Sequence, residues 1–104
     1  MTEGFWSVED RADYVFGCPE GTWTARLDEK AWGKAKAGNL ILYFSEVGTD
    51  RRYWFSVYQQ NGYCADDGAL SFKNDVEPGT MLTLTTAKTR TGNPRLKAAQ
   101  RIKG

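Results

Sequence analysis

From residue 21 onward, apolar and polar positions alternate mostly with a period of two, the pattern of half-buried strands. "TWTARLD" (22–28) sets Trp23, Ala25 and Leu27 on one face and the threonines and Arg26 on the other. "NLILYFSEV" (39–47) is a nearly continuous apolar run, "GTD" turns the chain, and "RRYWFSVY" (51–58) returns it as a hairpin partner. In that returning strand Tyr53, Phe55 and Val57 share one face, and Trp54, Ser56 and Tyr58 the other. A turn-rich loop, "QQNGYCADDG" (59–68), leads to a short strand, "ALSF" (69–72). After the "EPG" turn, "TMLTLTTAKT" (80–89) alternates Met81, Thr83 and Thr85 against Leu82, Leu84 and Thr86. "TGNP" turns again, and "RLKAAQRI" (95–102) supplies the last strand, with Leu96 and Ala98 inward.

Two segments break the alternation. "WSVEDRADYVF" (6–16) predicts a short helix. Ser7 is its N-cap, acids fill its first turn, and Val8, Ala12, Val15 and Phe16 form an apolar stripe. "GCPEG" stops it. "EKAWGKAKAGN" (29–39) reads as a connector with one large apolar residue, Trp32. Because an indole usually finds a core, Trp32 is expected to plug one end of the fold rather than to serve as a contact arm.

The order is helix, three-strand meander, long connection with a short strand, and final hairpin. This plan predicts a mainly β single domain spanning 1–104: a small antiparallel five-stranded barrel with a short N-terminal helix. An OB-type barrel has this strand plan; an SH3-like barrel and a half-open α+β roll are the alternatives. Leu40, Leu42, Phe44, Phe55, Val57, Leu82, Leu84 and Leu96 form the expected core.

The 104 residues suffice for a core without metal or disulfide staples. No apolar run is long enough for a transmembrane helix, and the N-terminus carries no signal-peptide pattern, so a cytoplasmic location without membrane attachment is the expectation. Cys18 and Cys64 are expected to be free thiols, as befits that compartment. The net charge of +1 conceals a gradient. Residues 1–29 hold seven acids against two bases, and residues 69–104 hold seven bases against two acids. The basic C-terminal part can steer an anionic partner.

With no histidine, the commonest general base is missing, and two distant cysteines make a zinc site nearly untenable. No nucleophile elbow or phosphate-cradling loop is present. Asp66–Asp67–Gly68 reads as a turn rather than a cation site. The expectation is a non-enzyme without metal or cofactor.

The aromatic surplus says more. If Phe55 and Val57 face the core, Trp54 and Tyr58 face outward beside Arg51 and Arg52. Rings that stack on bases next to arginines that meet phosphates suit a sequence-tolerant single-strand binder. The expected site adds Tyr63 beside the rings, and Lys88, Arg90, Arg95 and Lys97 from the closing hairpin, all converging on one end of the barrel. The competing arrangement has the N-terminal helix lying over this face and burying Trp54.

Residues 53–102 also resemble a cold-shock domain, a family of OB-type barrels that bind single-stranded nucleic acid. "YWFSVYQQNGY" is similar to that family's first-strand Trp-Phe and the Gly-aromatic motif after it, at Trp54, Phe55, Gly62 and Tyr63. "DDGALSF" is similar to its Asp-Gly turn and following Phe, at Asp67, Gly68 and Phe72. "VEPGTMLTLTTAKTRTGNPRLKAAQRI" is similar to its closing hairpin, with Ala98 and Ala99 as the small pair. The family's second aromatic motif, with its His, is missing. The resemblance implies a barrel that binds single-stranded DNA or RNA without catalysis. The rival expectation is a small protein-binding module, an inhibitor, immunity or anti-defence protein of the phage or plasmid type, because Tyr, Trp and Arg also dominate protein interfaces.

Overall fold

The structure, a computed structural model, describes residues 13–34 and 38–102. It is a six-stranded mixed sheet: β1 (Val15–Phe16), β2 (Gly21–Trp32), β3 (Asn39–Glu46), β4 (Arg52–Tyr58), β5 (Met81–Lys88) and β6 (Pro94–Arg101). The strand order is β1-β4-β3-β2-β5-β6. The meander β2-β3-β4 and the hairpin β5-β6 are antiparallel, and the long β2 joins them. Its C-terminal half pairs with β3 and its N-terminal half with β5, Ala25 lying between Glu46 and Leu82.

All eight residues expected in the core are buried. They gather on one face of the sheet with Trp23, Ala25 and Leu27. Phe44 stacks on Phe55 at 5.2 Å and meets the edge of Phe72 at 6.2 Å. Trp23 donates its Nε1–H to the Thr86 hydroxyl at 2.8 Å, so the buried indole's one polar group is satisfied. Cys18 is buried and Cys64 partly exposed, both as free thiols.

Four expectations are corrected. The sheet does not close into a barrel. Two carbonyls of β6, on Leu96 and Lys97, accept hydrogen bonds from the backbone N–H of Asp66 and Asp67, while β1 takes the edge of β4 at Tyr53 and Trp54. The groups that would knit β4 to β6 are thus partly engaged elsewhere. Among the described residues the expected N-terminal helix has no counterpart: its Ser7 cap, Val8 and Ala12 lie outside them, and Val15–Phe16 is an edge strand parallel to β4. Val15 and Phe16 are 62% and 50% exposed, not a buried stripe. A β-branched and an aromatic residue satisfy backbone groups of β4, so tertiary pairing sets the conformation of Val15 and Phe16.

Thirdly, the supposed connector from Glu29 to Trp32 continues β2. Leu27 stands opposite Phe44 and Glu29 opposite Tyr43, so Asp28 is an extra residue in a β-bulge. The bulge shifts the alternation by one, which hides the strand from a period-two reading and turns Lys30 inward. Lastly, "ALSF" is not a strand; Ser71 makes one isolated bridge to Cys64. The connection from Gln59 to Thr80 instead crosses the core face and inserts Ala65, Phe72 and Val76 into it. Lys30 ties it down, its ammonium donating to the carbonyls of Val76 at 2.8 Å, Phe72 at 3.0 Å and Lys73 at 3.4 Å.

Candidate nucleic-acid interface

Burial of Phe55 and Val57 leaves Arg52, Trp54, Ser56 and Tyr58 on the opposite, outward side of β4. Tyr58 is 43% exposed there. Trp54 is half-buried, and Phe16 of β1 is what lies on it, at 4.6 Å between ring centroids. Beside them Tyr14 packs edge-on against Tyr43 at 5.3 Å. Asp13 approaches Arg52 at 3.6 Å.

The Tyr14 hydroxyl donates to Asp28 at 2.7 Å, and the same carboxylate receives Ser45 and Arg26. Burial first, and then this bond to a carboxylate, hold the Tyr14 hydroxyl well above the ordinary tyrosine range. The second face of β4 is therefore flanked near Trp54 by the Phe16 ring of the edge strand β1 and open near Tyr58.

At the open end, the gap between β4 and β6 forms a cleft of about 410 Å³. Tyr58, Gln60, Asn61, Thr89 and Arg95 are among the residues that line it. The cleft lies where the sheet stops short of closure, and the 3-10 turn Gln59–Asn61 contributes Gln60 and Asn61 to its wall. Amide and hydroxyl groups beside an aromatic ring are suited to the edges and faces of unstacked bases. Arg95 is oriented by Asp66, which accepts from its Nε at 2.6 Å. That bond uses one of the guanidinium's five N–H donors. Lys88 sits opposite Pro94 at the base of the adjoining hairpin and Arg90 in its turn, both exposed. Lys97 is exposed at an irregularity of β6, where Thr85 pairs with Ala98 and Thr86 with Leu96; Ala99 rather than Ala98 is the buried one.

The structure therefore gathers Tyr58, Arg95 and the Lys88–Arg90 hairpin, and separates Arg51 and Arg52 from them. Arg52 and Tyr58 are the two ends of β4, about 20 Å apart at about 3.3 Å per residue. Tyr63 lies on the other side of the 3-10 turn, where its ring meets Trp32 at 5.5 Å.

Trp32, expected as a plug, is 61% exposed. With Glu29–Trp32 in β2, it is the strand's last residue and projects at the rim. A bulge count along "LDEKAW" was the one sequence signal that could have placed it there. The Thr89–Arg95 wall of the cleft carried no such signal, because it depends on how far the sheet curls. Among the described residues no helix is long and apolar enough to cross a membrane. No family model, curated protein or solved structure matches this chain.

Proposed function

We propose that the protein binds single-stranded nucleic acid, with one base against Tyr58 at the β4–β6 cleft and phosphates on Arg95, Lys88 and Arg90. The observation that carries this reading is the exposed Tyr58 ring bordering a polar cleft that Arg95 also lines. The strand order β4-β3-β2-β5-β6 agrees with an OB-like plan, whose meander face and hairpin loops serve oligonucleotides. The basic C-terminal residues add to it: an anionic strand is drawn to that half.

The Trp54 part of the surface takes part by exchange. Phe16 on Trp54 and Asp13 beside Arg52 stand where a base and a phosphate would stand. A strand long enough to reach Trp54 displaces β1, which is held by two residue pairs, a further backbone bond from Gly17 and the contacts of Tyr14 with Asp28 and Tyr43.

Fluorescence anisotropy with a labelled oligothymidylate tests the reading. Tyr58→Ala should weaken binding by about 1–3 kcal/mol. With three phosphates neutralised, log affinity should fall with log salt at a slope of about −2. Absence of binding by the wild-type protein at low salt overturns the reading. The exposed Val15 and Phe16 on an edge strand favour the protein-partner reading in that case, because such surface commonly marks an interface. Capture of a defined protein from nuclease-treated lysate would then support it.

A further inference from the structure

The end of the sheet beyond Tyr58 holds a second group of rings and cations. Trp32 leaves most of its indole in water, an arrangement that loses the apolar gain a tryptophan normally makes on folding. Tyr63 stands edge-on to it, 79° between ring planes. The Lys73 ammonium lies 6.0 Å from the Trp32 centroid and 5.8 Å from that of Tyr63. Lys30, Ala31, Trp32, Leu40 and Lys73 enclose a cavity of about 240 Å³ at this rim.

Tyr63 is moreover held in left-handed backbone, φ 59°, and is the one non-glycine residue so held among the described residues. A bulky residue in that region costs free energy unless its surroundings fix it there. They do: its N–H donates to the Tyr58 carbonyl at 2.9 Å, and its own carbonyl accepts from Phe72 at 2.9 Å. Glycine would adopt the same φ without strain.

The group lies across the rim from the first site: Trp32 is in register with Leu40 and Val57 on the core side of the sheet, Tyr58 on the outward side. Trp32 pairs with Leu40, and the next residue toward the rim, Asn39, pairs with Tyr58. Gln59 donates its N–H to the carbonyl of Gly38 at 3.1 Å, which draws the rim together. Gly38 has φ +84°, and a Cβ there would come within 2.7 Å of Gln59 Oε1 and 3.1 Å of the Tyr63 hydroxyl. The side chains of Gln59 and Tyr63 thus close over Gly38, and a chain crossing from Tyr58 to Trp32 would run over them. Two strand spacings separate β4 from β2, about 10 Å.

We infer that Trp32, Tyr63 and Lys73 form a second stacking station for single-stranded nucleic acid. The inference rests on the reading above. A strand leaving Tyr58 passes over the rim at Gly38, lays a base on the open face of Trp32 and sets a phosphate against Lys73. Lys34, exposed two residues beyond Trp32, adds a cation to the same stretch. Lys73 changes partner, from two ring faces to a phosphate, without moving far.

The test compares a four-nucleotide with a twelve-nucleotide oligothymidylate. Trp32→Ala should weaken the long oligonucleotide by about 5- to 150-fold and leave the short one, held at Tyr58, unchanged. Trp32→Phe should recover part of the loss. Lys73→Ala should reduce the salt slope for the long oligonucleotide by about 0.7. It carries the test if Trp32→Ala does not fold. Wild-type binding that these substitutions leave unaltered overturns this inference and spares the Tyr58 site. No wild-type binding of either oligonucleotide overturns both.

Discussion

Lys30→Met removes the clasp that holds the covering connection on the core. The substitution keeps a flexible side chain of similar length and deletes the ammonium. Three carbonyls lose their donor: Val76 and Phe72 at ordinary hydrogen-bond distance, and Lys73 at a longer one. Hydrogen bonds to a charged group are worth about 1.5–3 kcal/mol each, and the two short ones share a single ammonium, so their loss is not additive. Water reaches part of the site and recovers some of the loss. About 3 kcal/mol of destabilisation is expected.

For a domain of this size each 1 kcal/mol lowers Tm by about 4–8 °C, so Tm should drop by about 12–24 °C. Urea unfolding followed by tryptophan fluorescence gives the free energy, with m as the check that the native state remains compact. Glu77→Gln is the control. Its carboxylate lies 3.6 Å from Lys30 but is largely exposed, so its loss should cost under about 1 kcal/mol. A Lys30→Met loss below about 1 kcal/mol would mean that solvent satisfies the carbonyls and that the ammonium does not clasp the connection. Equal losses in both variants would move the effect to the ion pair.

Phe16→Ala should cost about 1 kcal/mol of stability, the worth of an aromatic pair at a half-exposed site, while tightening oligonucleotide binding several-fold; weaker binding would contradict the exchange at Trp54. Tyr14 has a folded-state pKa raised above its unfolded value of about 10, so its stabilisation is complete below about pH 10 and is lost as pH rises further. Urea midpoints at pH 8 and 11 should therefore converge between wild type and Tyr14→Phe at the higher pH, and a constant difference would refute the linkage. Cys64 should react with a thiol reagent in the native protein and buried Cys18 only on unfolding; simultaneous reaction of both would show that the Cys18 environment opens locally.

What could be read from the chain follows from what each pattern reports. Strict alternation in "YWFSVY" and "MLTLTT" fixes which side chains face the core, because a one-residue slip would expose the whole set. The outward Tyr58 came directly from that rule. In "WSVEDRADYVF" the apolar spacing misplaced Val15 and Phe16, because they answer to the unpaired edge of β4, remote in sequence. The bulge at Asp28 hid the second half of β2, and with it both the inward Lys30 and the exposed Trp32. The β4–β6 cleft was illegible for a different reason. Its existence depends on where the sheet stops curling, and Asp66 and Asp67, read as a simple turn, help decide that by bonding to β6.

The position of β2 between two strands of different sequence separation also bears on how the chain folds. Its pairing with β3 closes a short loop, so the meander can form early. Pairing with β5 must wait until β3, β4 and the whole covering connection have been laid down between them. The entropy difference between the two closures is modest, about 2 kcal/mol, since loop cost grows only with the logarithm of length. Non-local strand pairing of this kind nevertheless places folding in the millisecond-to-second range. Leu42→Ala, in the meander, is expected to slow refolding, and Leu84→Ala, in β5, mainly to speed unfolding. One strand thus belongs to the nucleus along half its length and to the last step along the other.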